Sequence, residues 1–192
     1  MFGGAFDPPH RAHVALASAA VDQLGLDLVG IFPTGDAWHK DRTLTAAAHR
    51  LAMATLAFAD VPAAVVDDRE LRRTGPTYSI DTLRSLRAEH PAAELYLLMG
   101  EDQAAGFTGW HAWQDIAALA VLGVAARGDA AGAGIAQLRG LPGVRVEPLR
   151  LPRMPDSATH IRARLTAGQD ISELVPPPVA SYIARHHLYR PA

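Results

Sequence analysis

Residues 2–13 have the sequence FGGAFDPPHRAH and decide how the rest of the chain is interpreted. Gly3 and Gly4 carry no Cβ, so their backbone N–H groups can approach a ligand closely. The proline pair that follows is compatible with the first turn of a helix. His10 and His13 then share one face of that helix. A glycine loop that leads into a helix N-terminus indicates a phosphate site, because free N–H groups and the helix dipole both favour anions.

This stretch matches neither of two common phosphate loops, since the chain has no GxxxxGK[ST] and no GxGxxG here. The alternative interpretation is a turn followed by two surface histidines, because a bare HxxH pattern recurs by accident. The glycine, aromatic, acidic and proline residues around the histidines favour the phosphate site.

Composition limits the class of protein. A chain of 192 residues can fill one core, so we expect a single domain over residues 1–192. A formal net charge of −2 argues against broad binding to nucleic acid or acidic membranes. The absence of cysteine excludes disulfides and thiolate catalysis, and no apolar run reaches the roughly 18 residues that span a bilayer. We expect a cytoplasmic protein with no membrane or nucleic-acid partner, and homo-oligomerisation stays open.

Short β runs alternate with helical stretches along the chain. Strands are predicted at 1–2, 28–33, 63–66, 94–99, 121–126 and 144–149. Helices are predicted at 11–24, 46–59, 79–89 with Ser79 as its cap, 110–119, weakly within 128–140, and at 159–167 and 177–187. This alternation predicts an α/β fold: a Rossmann-like, doubly wound parallel sheet with helices on both faces and a small C-terminal helical portion.

The predicted ligand site lies beyond the carboxyl ends of the strands, as in other open α/β sheets. The glycine loop follows the first strand, Lys40 follows the second, and Gly100, Glu101 and Asp102 follow the fourth. These three segments therefore converge on one rim of the sheet.

A second motif, Ser157-Ala158-Thr159-His160-Ile161-Arg162, occurs near the end of the chain. Ser157 and Thr159 stand at a helix start, where hydroxyls and free N–H groups can meet phosphate oxygens. Arg162, one turn later, adds a planar cationic fork. The alternative is an ordinary serine cap beside an exposed arginine.

Together the two motifs resemble those of the HxGH nucleotidyltransferase superfamily, written GGxFDPxHxGH and S-[SA]-T-x-x-R. Other segments resemble the bacterial nicotinate-nucleotide adenylyltransferases, and the resemblance spans almost all 192 residues. These segments are 33–40, similar to P-x-G-x-x-x-H-K; 75–83, similar to GPSYTxDTL; 100–102; 110–113; and 174–190, similar to LVP…YI…LYR.

The resemblance implies transfer of AMP from ATP to nicotinate mononucleotide, giving nicotinate adenine dinucleotide and pyrophosphate. The acceptor phosphate attacks the α-phosphorus directly, so the site must neutralise charge and align the reactants in line. Mg²⁺ is expected to be carried mainly by phosphates and water rather than by a protein metal site.

The resemblance also assigns residues to the ATP side. His10 and His13 contact the phosphates and are expected to be partly protonated in the complex, with His13 the more critical. Lys40 reaches the phosphates or is a solvated loop lysine, and Asp102 accepts ribose hydroxyls or caps a helix. The catalytic set is His10, His13, Lys40 and Arg162. The ATP-binding set is Gly3, Gly4, Ala5, Phe6, His10, His13, Gly100, Asp102, Ser157, Thr159 and Arg162.

The implied acceptor-binding set is His39, Lys40, Thr82, Trp110 and His111. Trp110 stacks on the pyridine ring, or packs in the core. Thr82 and the backbone near Trp110 and His111 are candidates to bind the nicotinate carboxylate.

Two positions depart from the family pattern: Ala5 replaces Thr or Ser, and Ala12 replaces Gly. One alternative is therefore a catalytically weak nucleotide-binding protein. Another keeps the chemistry but uses nicotinamide mononucleotide or a different phosphate acceptor. An RNA-binding relative is disfavoured by the net charge and by the lack of a basic, aromatic stripe.

The first strand has only Met1 and Phe2 before the glycine loop, whereas strands usually have about 5–6 residues. We expect that three or four apolar residues added upstream raise the melting temperature and tighten ATP binding.

Overall fold

The computed structural model describes residues 1–35, 43–127, 132–152, 154 and 157–189. Within these residues the strands are β1 (Phe2–Gly4), β2 (Val29–Pro33), β3 (Ala64–Val66), β4 (Leu95–Met99), β5 (Ala120–Arg127) and β6 (Val146–Leu151). The α-helices are α1 (Arg11–Leu24), α2 (Ala47–Phe58), α3 (Arg69–Arg72), α4 (Ser79–Glu89), α5 (Glu101–Ala105), α6 (Trp113–Leu119), α7 (Ala133–Arg139), α8 (Ala158–Thr166) and α9 (Pro177–Arg185). A 3₁₀ turn spans Phe107–Gly109.

All paired strands run parallel, in the orders β1-β2-β3 and β4-β5-β6. The two groups meet at Met1, whose carbonyl accepts from the Leu98 N–H at 2.9 Å and whose amino group donates to the Tyr96 carbonyl at 2.7 Å. The spatial order is therefore 3-2-1-4-5-6, which is that of doubly wound nucleotide-binding sheets. The predicted Rossmann-like α/β fold is confirmed.

Two apolar cores cover the two faces of the sheet. In β4, Leu98 packs into one core with residues of α1, α2 and α9, whereas Leu97 and Met99 pack into the other with residues of α4, α6 and α7. Successive side chains of a strand point to opposite faces, so a strand buried on both sides is continuously apolar. The LYLLM sequence of β4 follows this rule and fixes the strand at the centre of the protein.

The elements differ from the prediction in a few places. The helix expected at 110–119 begins only at Trp113, because Ala112 has φ +52°, outside the helical region. Ser79 is the first residue of α4, and Tyr78 is its N-cap. The helices α3 and α5 were not predicted, since four or five residues are too few to display a 3.6-residue repeat. No helix in the described ranges is long and apolar enough to cross a bilayer.

Candidate functional site

The loop from β1 to α1 holds the two predicted histidines against each other. His10 is the N-cap of α1, and its backbone N–H donates to Nδ1 of His13 at 3.1 Å. The two rings stack with centroids 3.7 Å apart and an angle of 29°. Because Nδ1 of His13 accepts this bond, the neutral ring carries its proton on Nε2. His13 therefore presents an N–H donor to a ligand.

His10 is the more buried of the pair, with 7 % of its surface exposed. Its Nδ1 is buried and has no hydrogen-bond partner in the structure. Burial lowers the pKa of His10 to about 4, so the ring is neutral at pH 7 in the ligand-free protein. A buried polar atom without a partner is unfavourable unless a ligand or water satisfies it. The protonation of both histidines in the ATP complex stays a prediction.

The low pKa of His10 predicts a loss of stability in acid. Between pH 6.5 and 4 the unfolded chain protonates this ring and the folded protein does not, so the free energy of unfolding falls as pH falls. Across that range the His10 contribution amounts to about 3 kcal/mol. Urea unfolding at pH 7 and pH 4.5 should show a smaller pH effect in His10→Asn than in the wild type. An identical pH effect in both proteins would show that the pKa of His10 is not lowered in the folded protein.

The glycine loop between β1 and α1 is shaped by aromatic packing. Phe6 is 2 % exposed and has φ +46°, and its ring contacts those of Phe2, Phe58 and His13 at centroid distances of 5.5, 5.5 and 5.2 Å. A Cβ on Gly4 would lie 3.0 Å from the Phe6 ring, so this position favours glycine. Phe6 thus supports the loop by packing, and its ring and that of His13 are in T-shaped contact.

The second motif joins the first at this loop. Ser157 caps α8, and its Oγ accepts from the His160 N–H at 3.2 Å. Arg162 donates through Nη1 to the Asp7 carbonyl at 2.8 Å and through Nη2 to Oγ1 of Thr159 at 3.1 Å. The two motifs, 155 positions apart at this contact, therefore form one site.

A cavity of about 720 Å³ lies between them, and all eleven residues of the predicted ATP-binding set line it. Asp102 is the second residue of α5, whose N-cap is Gly100, so it is not a helix cap. The lining also includes side chains to which the sequence assigned no role: Phe2, Asp7, Ala12, Leu16, Glu101, Gln103, Ala125, Leu151, Pro152, Met154 and Ala158.

A second cavity of about 440 Å³ adjoins the first, because Gly3, Gly4, Ala5 and Gln103 line both. Trp110 and His111, from the predicted acceptor-binding set, line this second cavity. The other lining residues are Thr34, Glu70, Thr77, Tyr78, Ser79, Leu97, Leu98, Met99, Gly106, Gly109 and Ile116.

Aromatic rings form one wall of the second cavity. The Trp110 ring lies 5.8 Å from that of buried Phe107, and the rings of His111 and Tyr78 lie 4.2 Å apart at 30°. Trp110 is thus packed on one side and borders the cavity, as a stacking platform for a flat ligand requires. The Trp113 ring lies 6.0 Å from that of Phe107 and packs against the apolar cluster on this face.

The structure places Thr82 behind the cavity wall, which corrects its assignment as an acceptor contact. Thr82 is 0 % exposed, and its hydroxyl donates to Oε1 of Glu70 and accepts from Nη1 of Arg73, both at 2.6 Å. Burial, opposed by the Thr82 hydrogen bond, raises the pKa of Glu70 to about 7. Ser79, one turn before Thr82, borders the cavity instead.

Two predicted residues, His39 and Lys40, lie outside the described residues. Sequence reasoning gave no role to Asp7, which is 1 % exposed and accepts from Tyr189. No local signal links Asp7 to a residue 182 positions away. Among the described residues, no group of three His, Asp or Glu side chains could hold a metal ion.

Comparisons with known proteins show the family to which the chain belongs. Residues 1–164 match the model of the cytidylyltransferase-like family. A protein of Albidiferax ferrireducens named "Probable nicotinate-nucleotide adenylyltransferase" is 52 % identical over 100 % of this chain and 98 % of that protein. A protein of the same name from Methylibium petroleiphilum is 40 % identical over 100 % of this chain and 92 % of that protein.

Solved structures share the fold. The nicotinic acid mononucleotide adenylyltransferase of Plasmodium falciparum complexed with NaAD superposes with a TM-score of 0.82 at 20 % identity, covering 98 % of this chain and 95 % of that one. The same enzyme complexed with APC gives a TM-score of 0.79 at 20 % identity, covering 98 % and 94 %. The resemblance inferred from the motifs is confirmed, and the chain belongs to the cytidylyltransferase-like family and, within it, to the nicotinate-nucleotide adenylyltransferases.

Proposed function

We propose that this enzyme transfers the adenylyl group of ATP to nicotinate mononucleotide, releasing pyrophosphate. The observation that carries the proposal is the pair of adjoining cavities with the glycine loop as their common wall. One cavity is lined by both phosphate motifs and the other by an aromatic platform. Two nucleotides bound in these cavities would meet at Gly3, Gly4 and Ala5, where the reacting phosphates belong.

ATP occupies the larger cavity in this proposal. The backbone of the glycine loop, the N-terminus of α1 and the His13 Nε2–H face the phosphates. Arg162 and the start of α8 bind the β- and γ-phosphates from the opposite side. Asp102 is proposed to accept the ribose hydroxyls.

The acceptor occupies the smaller cavity. Trp110 stacks on the pyridine ring, and the N-terminus of α4 borders the same space at Ser79. The first N–H groups of a helix have no intrahelical partner and favour an anion. We assign the nicotinate carboxylate to this helix end, and the acceptor phosphate to the side of the glycine loop. His39 and Lys40 stay proposed members of the acceptor-binding set, and Lys40 stays a proposed contact of the ATP phosphates.

The reaction needs no covalent enzyme intermediate. An oxygen of the acceptor phosphate attacks the α-phosphorus, the bond to the bridging oxygen of the β-phosphate breaks, and its electron pair leaves with pyrophosphate. The chain aligns the two oxygens in line and neutralises the charge of the transferring group, through His13, Arg162 and backbone donors. These donors are fixed before substrates bind, so they need little reorganisation during the reaction.

Mg²⁺ is proposed to enter with the phosphates of ATP. Mg²⁺ keeps much of its water shell and prefers oxygen ligands, and the acidic residues Glu101 and Asp102 are among those that line the ATP cavity. When bound, the ion neutralises phosphate charge and polarises the leaving group. The ion would be held mainly by phosphate oxygens and by water.

The proposal predicts selectivity for nicotinate over nicotinamide mononucleotide. A carboxylate accepts hydrogen bonds from the α4 N-terminus, whereas an amide also presents donors to those donors and leaves N–H groups unpaired. We expect kcat/KM to favour the acid by about 10–100-fold. Pyrophosphate release with ATP, Mg²⁺ and each acceptor measures the ratio. Equal values for both acceptors would reject the assignment, and no release with either would reject the function.

A matched pair of variants locates the source of this selectivity. Ser79→Pro removes one N–H at the first position of α4, where proline is tolerated, and the extended Tyr78 (φ −114°, ψ 136°) is compatible with a following proline. Ser79→Ala keeps the N–H and removes only the hydroxyl. The proline variant should lose most of the preference for the acid, and the alanine variant should keep it.

A further inference from the structure

The C-terminal tail after α9 contacts the segment that links the glycine loop to α1. The Tyr189 hydroxyl donates to Oδ1 of Asp7 at 2.6 Å. Asp7 is 1 % exposed, and its Oδ2 also accepts from the Thr45 N–H at 3.3 Å. A hydrogen bond to a charged acceptor is short and strong, and more so away from water. The tail is therefore hydrogen-bonded to a buried carboxylate of the loop that lines the ATP cavity.

The tail adopts an uncommon backbone conformation to make this contact. His187 has φ +52° and Tyr189 has φ +63°, both in the left-handed region that side chains with a Cβ rarely occupy. The Leu188 N–H donates to the Ile183 carbonyl at 3.1 Å. Oγ1 of Thr166 donates to the Arg162 carbonyl at 3.0 Å and lies 3.4 Å from the Tyr189 carbonyl. Strain maintained by its surroundings clusters at functional positions.

Asp7 links its hydrogen bond with Tyr189 to the residues that are proposed to face the phosphates. Its carbonyl accepts from Nη1 of Arg162 at 2.8 Å, and it stands three positions before His10. On the other side of the loop, Nη1 of Arg50 donates to the Ala5 carbonyl at 3.0 Å. A change in the position of Asp7 therefore moves both the guanidinium and the loop that ends in the histidine pair.

We propose that Tyr189 is a positioning residue of the ATP site, which holds Asp7, and through it the glycine loop and Arg162, in the arrangement that binds the triphosphate. This inference rests on the proposed function of the larger cavity. Burial, followed by the negative charge of Asp7, raises the pKa of the Tyr189 hydroxyl. The hydroxyl consequently stays protonated, and remains a donor, across the pH range of an activity assay.

The test compares two variants that each remove one phenolic oxygen. Tyr189→Phe deletes the donor to Asp7. Tyr96→Phe deletes a donor to the exposed carboxylate of Glu94 at 3.0 Å, and neither Tyr96 nor Glu94 lines a cavity described above. We expect Tyr189→Phe to raise the KM for ATP about tenfold, as for the loss of one hydrogen bond to a charged group. The KM for nicotinate mononucleotide should change less than about twofold. Tyr96→Phe should match the wild type in both constants.

A role in folding alone gives a different pattern. If Tyr189→Phe lowers the melting temperature and the active fraction but leaves the KM for ATP unchanged, the proposal is overturned. A double variant tests the route: if Tyr189 acts through Asp7, Tyr189→Phe adds little to the loss of ATP affinity already caused by Asp7→Asn. Multiplicative losses would show that Tyr189 acts by another path and would overturn the inference.

Calorimetry with ATP and Mg²⁺, without any acceptor, separates this inference from the proposed function. Weaker ATP binding by Tyr189→Phe than by Tyr96→Phe supports the positioning role even if adenylyl transfer to nicotinate mononucleotide is absent. Equal ATP binding by the two variants overturns the role even if that transfer occurs.

Discussion

Replacing His13 with alanine is expected to lower kcat by about 10²–10³, equal to about 3–4 kcal/mol of transition-state stabilisation. The His10 N–H donates to Nδ1 of His13 and orients this ring, which leaves the Nε2–H of His13 as a donor beside the glycine loop. Donors to charge that develops during reaction act mainly on kcat, because they bind the transition state better than the substrate. Steady-state pyrophosphate release and circular dichroism should show lost turnover in a folded protein.

His90→Ala is the matched control for this experiment. His90 is the exposed C-cap residue of α4 and lines neither cavity, so its loss should leave kcat unchanged. Near-normal turnover in His13→Ala would remove His13 from the catalytic set.

Phe6→Ala is expected to reduce the free energy of unfolding by about 3–5 kcal/mol, the usual cost of deleting a buried aromatic ring. The ring of Phe6 is enclosed by those of Phe2, Phe58 and His13. Alanine adopts the φ of +46° no more easily than phenylalanine, so the change is dominated by the cavity left behind. Urea unfolding at pH 7 measures the loss.

Leu28→Ala provides the comparison, because Leu28 is 51 % exposed and its truncation should change the stability by less than about 0.5 kcal/mol. Similar stability losses in the two variants would show that Phe6 does not support the loop. Activity that survives in folded Phe6→Ala at low temperature would show that His13 keeps its place without this ring.

The alternation of strands and helices predicted most of the fold because each element has a local signal. The helix α1 ends where expected, since Gly25 adopts φ +63°, a conformation that glycine favours at a helix end. The strand β4 is a short, uninterrupted apolar run, as a strand buried on both faces requires. The predicted start of α6 was wrong because Ala112 has a left-handed φ, a conformation that alanine rarely adopts and that its residue type therefore does not indicate.

The candidate site was predictable where it consists of motifs that are compact in the sequence. The ATP-side set lines one cavity because both motifs follow strands or begin helices at the same edge of the sheet. Thr82 was misplaced because two hydroxyl residues, Ser79 and Thr82, lie one turn apart on α4, and only the fold decides which one borders the cavity. Tyr189 and Asp7 lie 182 positions apart, and neither local sequence indicates that they are in contact.

Most of the residues that line the two cavities belong to one cavity only. Gly3, Gly4, Ala5 and Gln103 line both cavities, so a substitution at a residue that lines only the smaller cavity changes no residue that lines the larger one. Residues 77–79 and 109–111 line the smaller cavity and do not line the larger one. Under the proposed function, substitutions at these positions would change the choice of acceptor while the residues proposed to bind ATP stay the same.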